Sequence, residues 1–574
     1  MQVARLREGV LDGPLHSEEV LVARTPLLRA LRRLFADAHF SRKSGLPLAA
    51  IAEQRDALSS RIAPASPRIS RRALAVGVGA GAASLALPSP ARAKTNPRIA
   101  IVGGGIAGLT CALKLADRGI CSTVYEASGR LGGRMFSNKG YWNDGQVTEW
   151  FGELIDSGHQ NIRALAKRFK LPLDDLHAAE PAGSQDTYYF FHSYYTANSA
   201  SFDFLADVAE RVAADAEAAG YPTTFDSFTP EGAELDGMSV WDWIESRVPG
   251  GHDSELGQLL DLAYNTEYGA ETRDQSALNL VYLLGFQPDE SGFSVFGESD
   301  EAFRIRGGNQ QLPLAIAKQL QNLELGWSLR RLRQNAGGSY ALDFERGTGT
   351  TRITADYVVL ALPFAVLRTL DIAGAGFDAL KLRAIRELGA GRNAKTQLQL
   401  GQRFWAGRGA WPGVSNGSSY SDTGYQSSWE STRAQPGKSG ILVFYSGGNT
   451  TGALKSKQPV ATSADSLVAA DVATTLRRGE LVFPGLSRAY VGKATESIPH
   501  LSPFFGNSYA YYRTGQYLDF GGYEKVAQGG VLFCGEHTSQ DYQGFMEGGA
   551  SEGRRAAREL AHSITGKADA LDAI

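Results

Sequence analysis

Cysteine is scarce in this chain: Cys111, Cys121 and Cys534 are the only 3 in 574 residues. So few thiols cannot build a disulfide framework, and none stand in a CxxC spacing for a metal or a redox pair. Cys534 follows the strand-like Val531-Leu532-Phe533 and is expected to fill core. Histidine is sparse as well, 9 residues with no HExxH or comparable ligand spacing, so no metal site is expected. Charge of one sign is also missing. The 58 basic residues against 61 acidic ones leave a net charge of −3. No basic stripe runs through the body of the chain, which argues against a nucleic-acid partner. The apolar stretch 75–87 is too short and too rich in Gly for a stable membrane span. Hydrophobic content of 43% and charged content of 21% remain those of an ordinary globular protein, and the length calls for two domains or one elaborated α/β domain.

Glycine, by contrast, is plentiful at 66 residues, and its most informative cluster is Arg98-Ile-Ala-Ile-Val-Gly103-Gly104-Gly105-Ile106-Ala107-Gly108-Leu-Thr. The apolar residues ahead of the glycines read as a buried parallel strand, and 109–117 as a helix. Gly103 allows the tight turn, Gly105 lets a pyrophosphate approach the backbone, and Gly108 lets helix and strand pack closely. The pyrophosphate then sits on the helix N-terminus, where free N–H groups and the helix dipole favour an anion. A second strand, Val124-Tyr125-Glu126, ends in an acid placed to accept hydrogen bonds from a ribose diol. Glycine-rich turns alone are common; strand, helix and acidic strand end together indicate a dinucleotide site. The next segment, Ala127-Ser128-Gly129-Arg130-Leu131-Gly132-Gly133-Arg134, suits a loop folded back over a second phosphate, to which Arg134 can donate a bidentate pair.

Ahead of this core, residues 1–69 include a candidate amphipathic helix at 21–40 but nothing that carries chemistry. Ser70-Arg71-Arg72, a weakly apolar Ala/Gly stretch and Ala91-Arg92-Ala93 read as an export signal cleaved near Ala93, and the arginine pair resembles the twin-arginine type. An exported (periplasmic or extracellular) protein using the twin-arginine export machinery is therefore expected. A flexible linker is the competing reading.

In order, the GxGxxG turn, the Glu126-Ala127 pair and the RxGGR segment resemble the flavin-containing amine oxidase family, which spans monoamine, polyamine and L-amino-acid oxidases. The resemblance covers about residues 97–562 and is loosest at 180–300. It implies an α/β fold, a Rossmann-type FAD-binding domain interleaved with an α+β substrate-binding domain. The expected parts are an extension (1–69), a signal (70–93), an FAD-binding domain (97–165, 301–375, 521–565) and a substrate domain (166–300, 376–520). Glu149 to His159 occupies the place of the family's flavin-lining segment, with Gly152, Glu153 and Ile155. Leu329 and Leu332 fall where apolar residues cover the adenine. Ile353 to Pro363 reads as one buried strand. Lys395, in the alternating Asn393-Ala-Lys-Thr-Gln-Leu, stands where the family's lysine holds a water against flavin N5. Gly535-Glu536-His537-Thr538 resembles the strand-end GExT near the ribityl chain and pyrophosphate. Tyr509 and Phe545 match the "aromatic cage", and Gly544, Phe545 and Met546 adjoin the ring.

Three departures shape the expectation. Ser508 stands where some members attach FAD through cysteine, so FAD is expected to be noncovalent. Phe545 replaces the commoner tyrosine. Ile155 occupies the place of an arginine that binds the substrate carboxylate in L-amino-acid oxidases. The resemblance implies oxidation of a small-molecule amine or L-amino acid to an imine, with O2 as the electron acceptor. Substrate contacts are assigned to Ile155, Glu267, Tyr509 and Phe545, and the acids Glu153, Asp156 and Glu267 are candidates to receive a distal cation. A dehydrogenase serving a protein acceptor, a desaturase and a flavin-binding partner protein without turnover remain open. The sequence carries no signal of oligomeric state.

Overall fold

The structure is a computed structural model that describes residues 97–285 and 301–566. The extension and export signal expected at 1–93 lie outside the described residues. Ile99–Val102 is the central strand of a five-stranded parallel sheet. Thr123–Glu126 and then Leu323–Leu325 flank it on one side, Tyr357–Leu360 and then Val531–Phe533 on the other. Strands are thus added outward on both sides of the first, which makes a topological switch point between Ile99–Val102 and Tyr357–Leu360. Ligands bind in such sheets beyond the carboxyl ends of the strands at that point.

Alternation decides which residue faces which layer. Ile99, Ile101 and Val359 pack with Ala107, Cys111, Ala556 and Leu560, the inward residues of the helices Ile106–Ala116 and Met546–Thr565. Ala100, Val102, Val358 and Leu360 face the opposite layer. There an antiparallel sheet of Ser328–Gln334, Tyr340–Arg346 and Gly349–Ala355 contributes Leu329, Leu332, Leu342 and Phe344. Cys534 is fully buried in the first of these cores.

One expected strand is really two. Residues 353–363 break at Asp356, whose carboxylate accepts from the Arg98 backbone N–H at 2.8 Å and from its guanidinium at 2.6 Å. Gly349–Ala355 stays with the antiparallel sheet, and Tyr357–Leu360 turns into the parallel one. The substrate-side helices include Ala197–Asp207 and Ala209–Ala219. Ser239 caps Val240–Arg247, accepting from the Asp242 N–H at 3.0 Å.

The second large sheet has eight strands. From one edge they run Val460–Thr462, Tyr490–Ser497, Asn393–Leu400, Gly440–Gly447, Ser427–Glu430, Val414–Ser421, Ser184–Phe190 and Ser193–Tyr195. All residues of Asn393–Leu400 are buried. The helix Glu255–Tyr268 packs against this sheet within an aromatic-rich core that includes Trp243, Tyr264 and Tyr420. The two sheets draw on alternating segments of one chain, the interleaving expected from the sequence. Among the described residues, no helix is long and apolar enough to cross a membrane.

Candidate active site

The glycine turn behaves as its spacing suggests. Gly103 has φ +112°, and a Cβ there would lie 2.5 Å from the Ala361 carbonyl oxygen. A Cβ on Gly108 would come within 2.0 Å of the Gly103 carbonyl oxygen, so this residue serves helix–strand packing and does not line the cavity. Gly105 is different: its Cβ would meet nothing nearer than the Gly133 Cα at 4.0 Å. The first helical bond runs from the Leu109 N–H to the Gly105 carbonyl at 3.0 Å. The N–H groups of Ile106, Ala107 and Gly108 therefore precede any intrahelical acceptor and suit an anion. The loop after Glu126 folds back as expected, with the Gly132 N–H donating to the Gly104 carbonyl at 2.8 Å.

Glu126 holds this turn together. One carboxylate oxygen accepts from the Gly104 N–H at 2.7 Å, the other from the Ser128 N–H at 2.8 Å and hydroxyl at 2.6 Å. Arg134 is not wholly available for a phosphate: its Nη1 donates to the Ser508 carbonyl and, at 3.1 Å, to Glu536. Bidentate donation to a phosphate is left to Nε and Nη2. Arg130 offers more. Its guanidinium lies 4.0 Å over the Phe136 ring, and its buried Nη1 has no hydrogen-bond partner among the described residues.

These groups border a cavity of about 650 Å³. Gly103, Gly105, Ile106, Ala107, Glu126, Ala127, Arg134, Gly152, Leu329, Glu536, Gly544, Phe545 and Met546 all line it. Leu332 does not; it is fully buried beneath the antiparallel sheet. Glu536 acts as a clamp. Besides Arg134 it accepts from the Gly544 N–H at 2.9 Å and the Ala510 N–H at 3.3 Å. Behind the wall, Asn309 fixes the 149–153 segment by donating its Nδ2 to the Glu153 carbonyl at 2.7 Å and its N–H to Glu149 at 2.8 Å. Burial pushes the Glu149 carboxyl up to about 7. His537 also lines the cavity, and burial pulls it down to about 4, which keeps it neutral.

A second cavity of about 130 Å³ shares its wall with the first. Lys395, Tyr509, Phe545, Phe151, Gly152, Tyr445, Gly544 and Met546 border both. Lys395 is 7% exposed, so it is not a surface lysine, and its Nζ donates to Glu153 Oε2 at 2.7 Å. The Tyr509 hydroxyl pairs with that of Tyr445 at 2.7 Å and donates to the Thr266 carbonyl at 3.1 Å. Phe545 caps the Met546–Thr565 helix and meets the His159 ring edge-on at 5.2 Å.

Four expectations need correction. Ile155 is fully buried among Leu109, Leu113 and Ile162 and lines neither cavity, because its strand-like pairing with Phe303 turns it into the core. Glu267 is fully buried on the helix Glu255–Tyr268 and also lines neither. Asp156 accepts the Glu301 N–H at 2.9 Å and lies 3.5 Å from His159, away from both cavities. Glu153 borders only the small cavity, where it is the counter-ion of Lys395, and does not line the large one.

Sequence reading missed Trp327, Tyr420, Trp429, Tyr445 and Glu301 as wall residues. Tyr445 faces Lys395 across one strand pair and Ser427 across the next. Strand alternation would have found it had the pairing been known.

The large cavity fits FAD on its own evidence: an anion-ready helix N-terminus, open space at Gly105, an unpartnered arginine nitrogen and an acid at the second strand end. Comparisons agree. The family model described as flavin containing amine oxidoreductase matches residues 106–561. YobN of Bacillus subtilis (strain 168), whose name gives it provisionally as an L-amino-acid oxidase, is 25% identical over 506 residues, covering 82% of this chain and 95% of that protein. The nicotine dehydrogenase of Pseudomonas putida (strain DSM 28022 / S16) is 24% identical over 469 residues, covering 80% of this chain and 88% of its own length. The solved cyclohexylamine oxidase from Brevibacterium oxydans IH-35A aligns with a TM-score of 0.67 at 19% identity, covering 82% of this chain and 100% of that one.

Proposed function

The chain belongs to the flavin-containing amine oxidoreductases, and on that premise we propose that it uses noncovalent FAD to deaminate a primary amine or L-amino acid oxidatively. The net reaction takes amine, O2 and water to a carbonyl compound, ammonia and hydrogen peroxide, with an imine that hydrolyses in between. Bound FAD supplies the acceptance of a hydride equivalent from the CH–NH2 carbon and its return to O2.

The protein's part is binding, orientation and dryness. The helix N-terminus at Gly105, with Arg130, receives the pyrophosphate, and Glu126 receives the ribose. Ser508 leaves FAD without a covalent tether; its hydroxyl is spent on Asn393 at 2.6 Å. Tyr509 and Phe545 flank the junction of the cavities with rings that exclude water, which disfavours the ammonium form and delivers the neutral amine the reaction needs. Lys395 presents its Nζ at the same junction, where it can hold a water. The observation that carries the proposal is this convergence: Lys395, Tyr509 and Phe545 come from separate segments onto the wall common to a cofactor-sized cavity and a small one.

Anaerobic bleaching of the flavin by a panel of amines and amino acids, followed by peroxide release on admitting air, tests the reading. A yellow protein that no amine bleaches refutes it. The kinship with a protein named nicotine dehydrogenase favours one second reading, electron delivery to a protein. That reading predicts bleaching with slow reoxidation by O2 and turnover restored by an artificial acceptor. Export through the twin-arginine route is a further part of the proposal, carried by Arg71-Arg72 and Ala91-Arg92-Ala93 and tested by fractionation of cells expressing Arg71→Lys/Arg72→Lys.

A further inference from the structure

The small cavity has a charge pattern that bears on its substrate. Among the described residues that line it, Lys395 is the one cation and there is no arginine. Lys395 is also committed: its Nζ lies 2.7 Å from Glu153 Oε2, the two side chains 8% and 3% exposed. A buried pair this close is internally neutralised, and each partner answers the desolvation cost of the other. Around the pair stand the aromatic walls Trp429, Tyr445 and Tyr509, with Trp429 presenting its ring 5.3 Å from Nζ. A second acid, Glu301, borders the same cavity.

We propose that Glu153 is a specificity-determining residue: by occupying the Lys395 ammonium it leaves the substrate cavity without a cation for a carboxylate, so the enzyme selects amines that carry no carboxylate on the reacting carbon. A substrate carboxylate entering this space meets Glu153 and Glu301 and finds no donor of opposite charge, an arrangement that rejects by repulsion and desolvation together. The inference rests on the amine-oxidation reading and narrows it. It also implies a latent switch, since loss of the Glu153 charge frees Lys395 to receive a carboxylate.

The test uses matched pairs on the FAD-loaded protein: phenethylamine against L-phenylalanine, and cadaverine against L-lysine. For each member, anaerobic flavin reduction gives kcat/KM, and flavin difference spectra before any reduction give Kd. The amine of each pair should exceed its amino acid by at least about 100-fold in kcat/KM and bind with a Kd lower by about the same factor, as expected when like charges are brought together in a desolvated site. In Glu153→Gln the ratio should shrink by about tenfold or more, chiefly through tighter binding of the amino acid. Amino acids handled as well as their amines by the unaltered protein overturn the proposal, whatever the variant does. An unchanged ratio in a folded E153Q protein removes Glu153 from the account. Absence of bleaching across all pairs sinks the oxidase reading instead, and the Kd ratios then still decide for or against Glu153.

Discussion

Two glycines three residues apart, at the start of one helix, make opposite predictions. A methyl group at Gly105 has room, since the nearest protein atom would be the Gly133 Cα at 4.0 Å and the residue's φ of −77° and ψ of 179° suit any side chain. Gly105→Ala should therefore leave the apoprotein within about 0.5 kcal/mol of its original stability. The space it fills is the one reserved for a pyrophosphate, so FAD affinity should fall by about 10- to 100-fold, or about 1.4–2.8 kcal/mol. At Gly108 the same methyl would lie 2.0 Å from the Gly103 carbonyl oxygen and 3.2 Å from the Ala361 Cβ. The Gly103 backbone on one side and a methyl without rotamers on the other leave nothing to relieve it, and the helix must move off the strand at a cost of about 3 kcal/mol or more. Melting of both apo variants by circular dichroism, with FAD binding followed by fluorescence quenching, separates the two effects. A Gly105→Ala protein that binds FAD with unchanged Kd would falsify the placement of the pyrophosphate at this turn. A Gly108→Ala protein as stable as the parent would refute the packing argument.

Other outcomes follow from the same contacts. Heat or acid precipitation should leave all flavin in the supernatant, because Ser508 offers no thioether; flavin retained in the protein mass would contradict this. Lys395→Met strips the buried Glu153 carboxylate of its partner and should cost about 3–5 kcal/mol, while the double variant with Glu153→Gln should recover part of that loss in a thermal melt. Tyr509→Phe removes a hydroxyl that bonds Tyr445 and the Thr266 carbonyl but keeps the ring, so kcat/KM should fall no more than about tenfold, against a far larger loss in Tyr509→Ala. Burial, with the nearby Asp471, pushes the Glu496 carboxyl from 4.5 up to about 8. The folded chain then holds a proton that the unfolded chain releases above pH 4.5, and stability falls as pH rises from 4.5 to 8. Glu496→Gln should flatten that decline, gaining on the order of 2–4 kcal/mol at alkaline pH; parallel curves for parent and variant would refute it.

The parts of the site that were legible in the sequence are those whose chemistry is local. Gly103, Gly105 and Gly108 act within a few residues of one another, and Glu126 acts on Gly104 and Ser128, so spacing alone locates them. Lys395 was legible by resemblance, but its partner was not: Glu153 lies far off in sequence and meets it only once Asn393–Leu400 packs against the 149–153 segment. Ile155 and Glu267 misled for a related reason. Ile155 stands next to Leu154, which borders the small cavity, but a bridge to Phe303 turns its side chain into the core, and Glu267 sits on a helix of which no residue borders either cavity. Tyr445 and Trp429 needed the order of strands in the eight-stranded sheet, which no run of alternating residues reveals. The break at Asp356 depended on Arg98, again a partner distant in sequence.

Glu536 explains why the cofactor site and the fold are one problem. Its two oxygens take donors from the RxGGR loop, from Ala510 beside the cage residue Tyr509 and from the entrance to the Met546–Thr565 helix, the first 402 residues away in sequence and the other two within 26. Each contact is a charge-assisted bond in a site only 5% exposed, where an unpaired partner is costly. Bringing such segments together carries a loop-closure cost that grows only slowly with the intervening length, so the large insertion that builds the second sheet adds little penalty once the clamp has formed. The same three segments border the large cavity. Any ligand that binds there and favours their closed arrangement stabilises the parallel sheet at the strand Val531–Phe533 that leads into Glu536, and conversely a loosened clamp weakens the site without any wall residue being changed. That reciprocity assigns Glu536 a role the family pattern alone does not give it: an acid kept beside the cofactor because the chain closes around it.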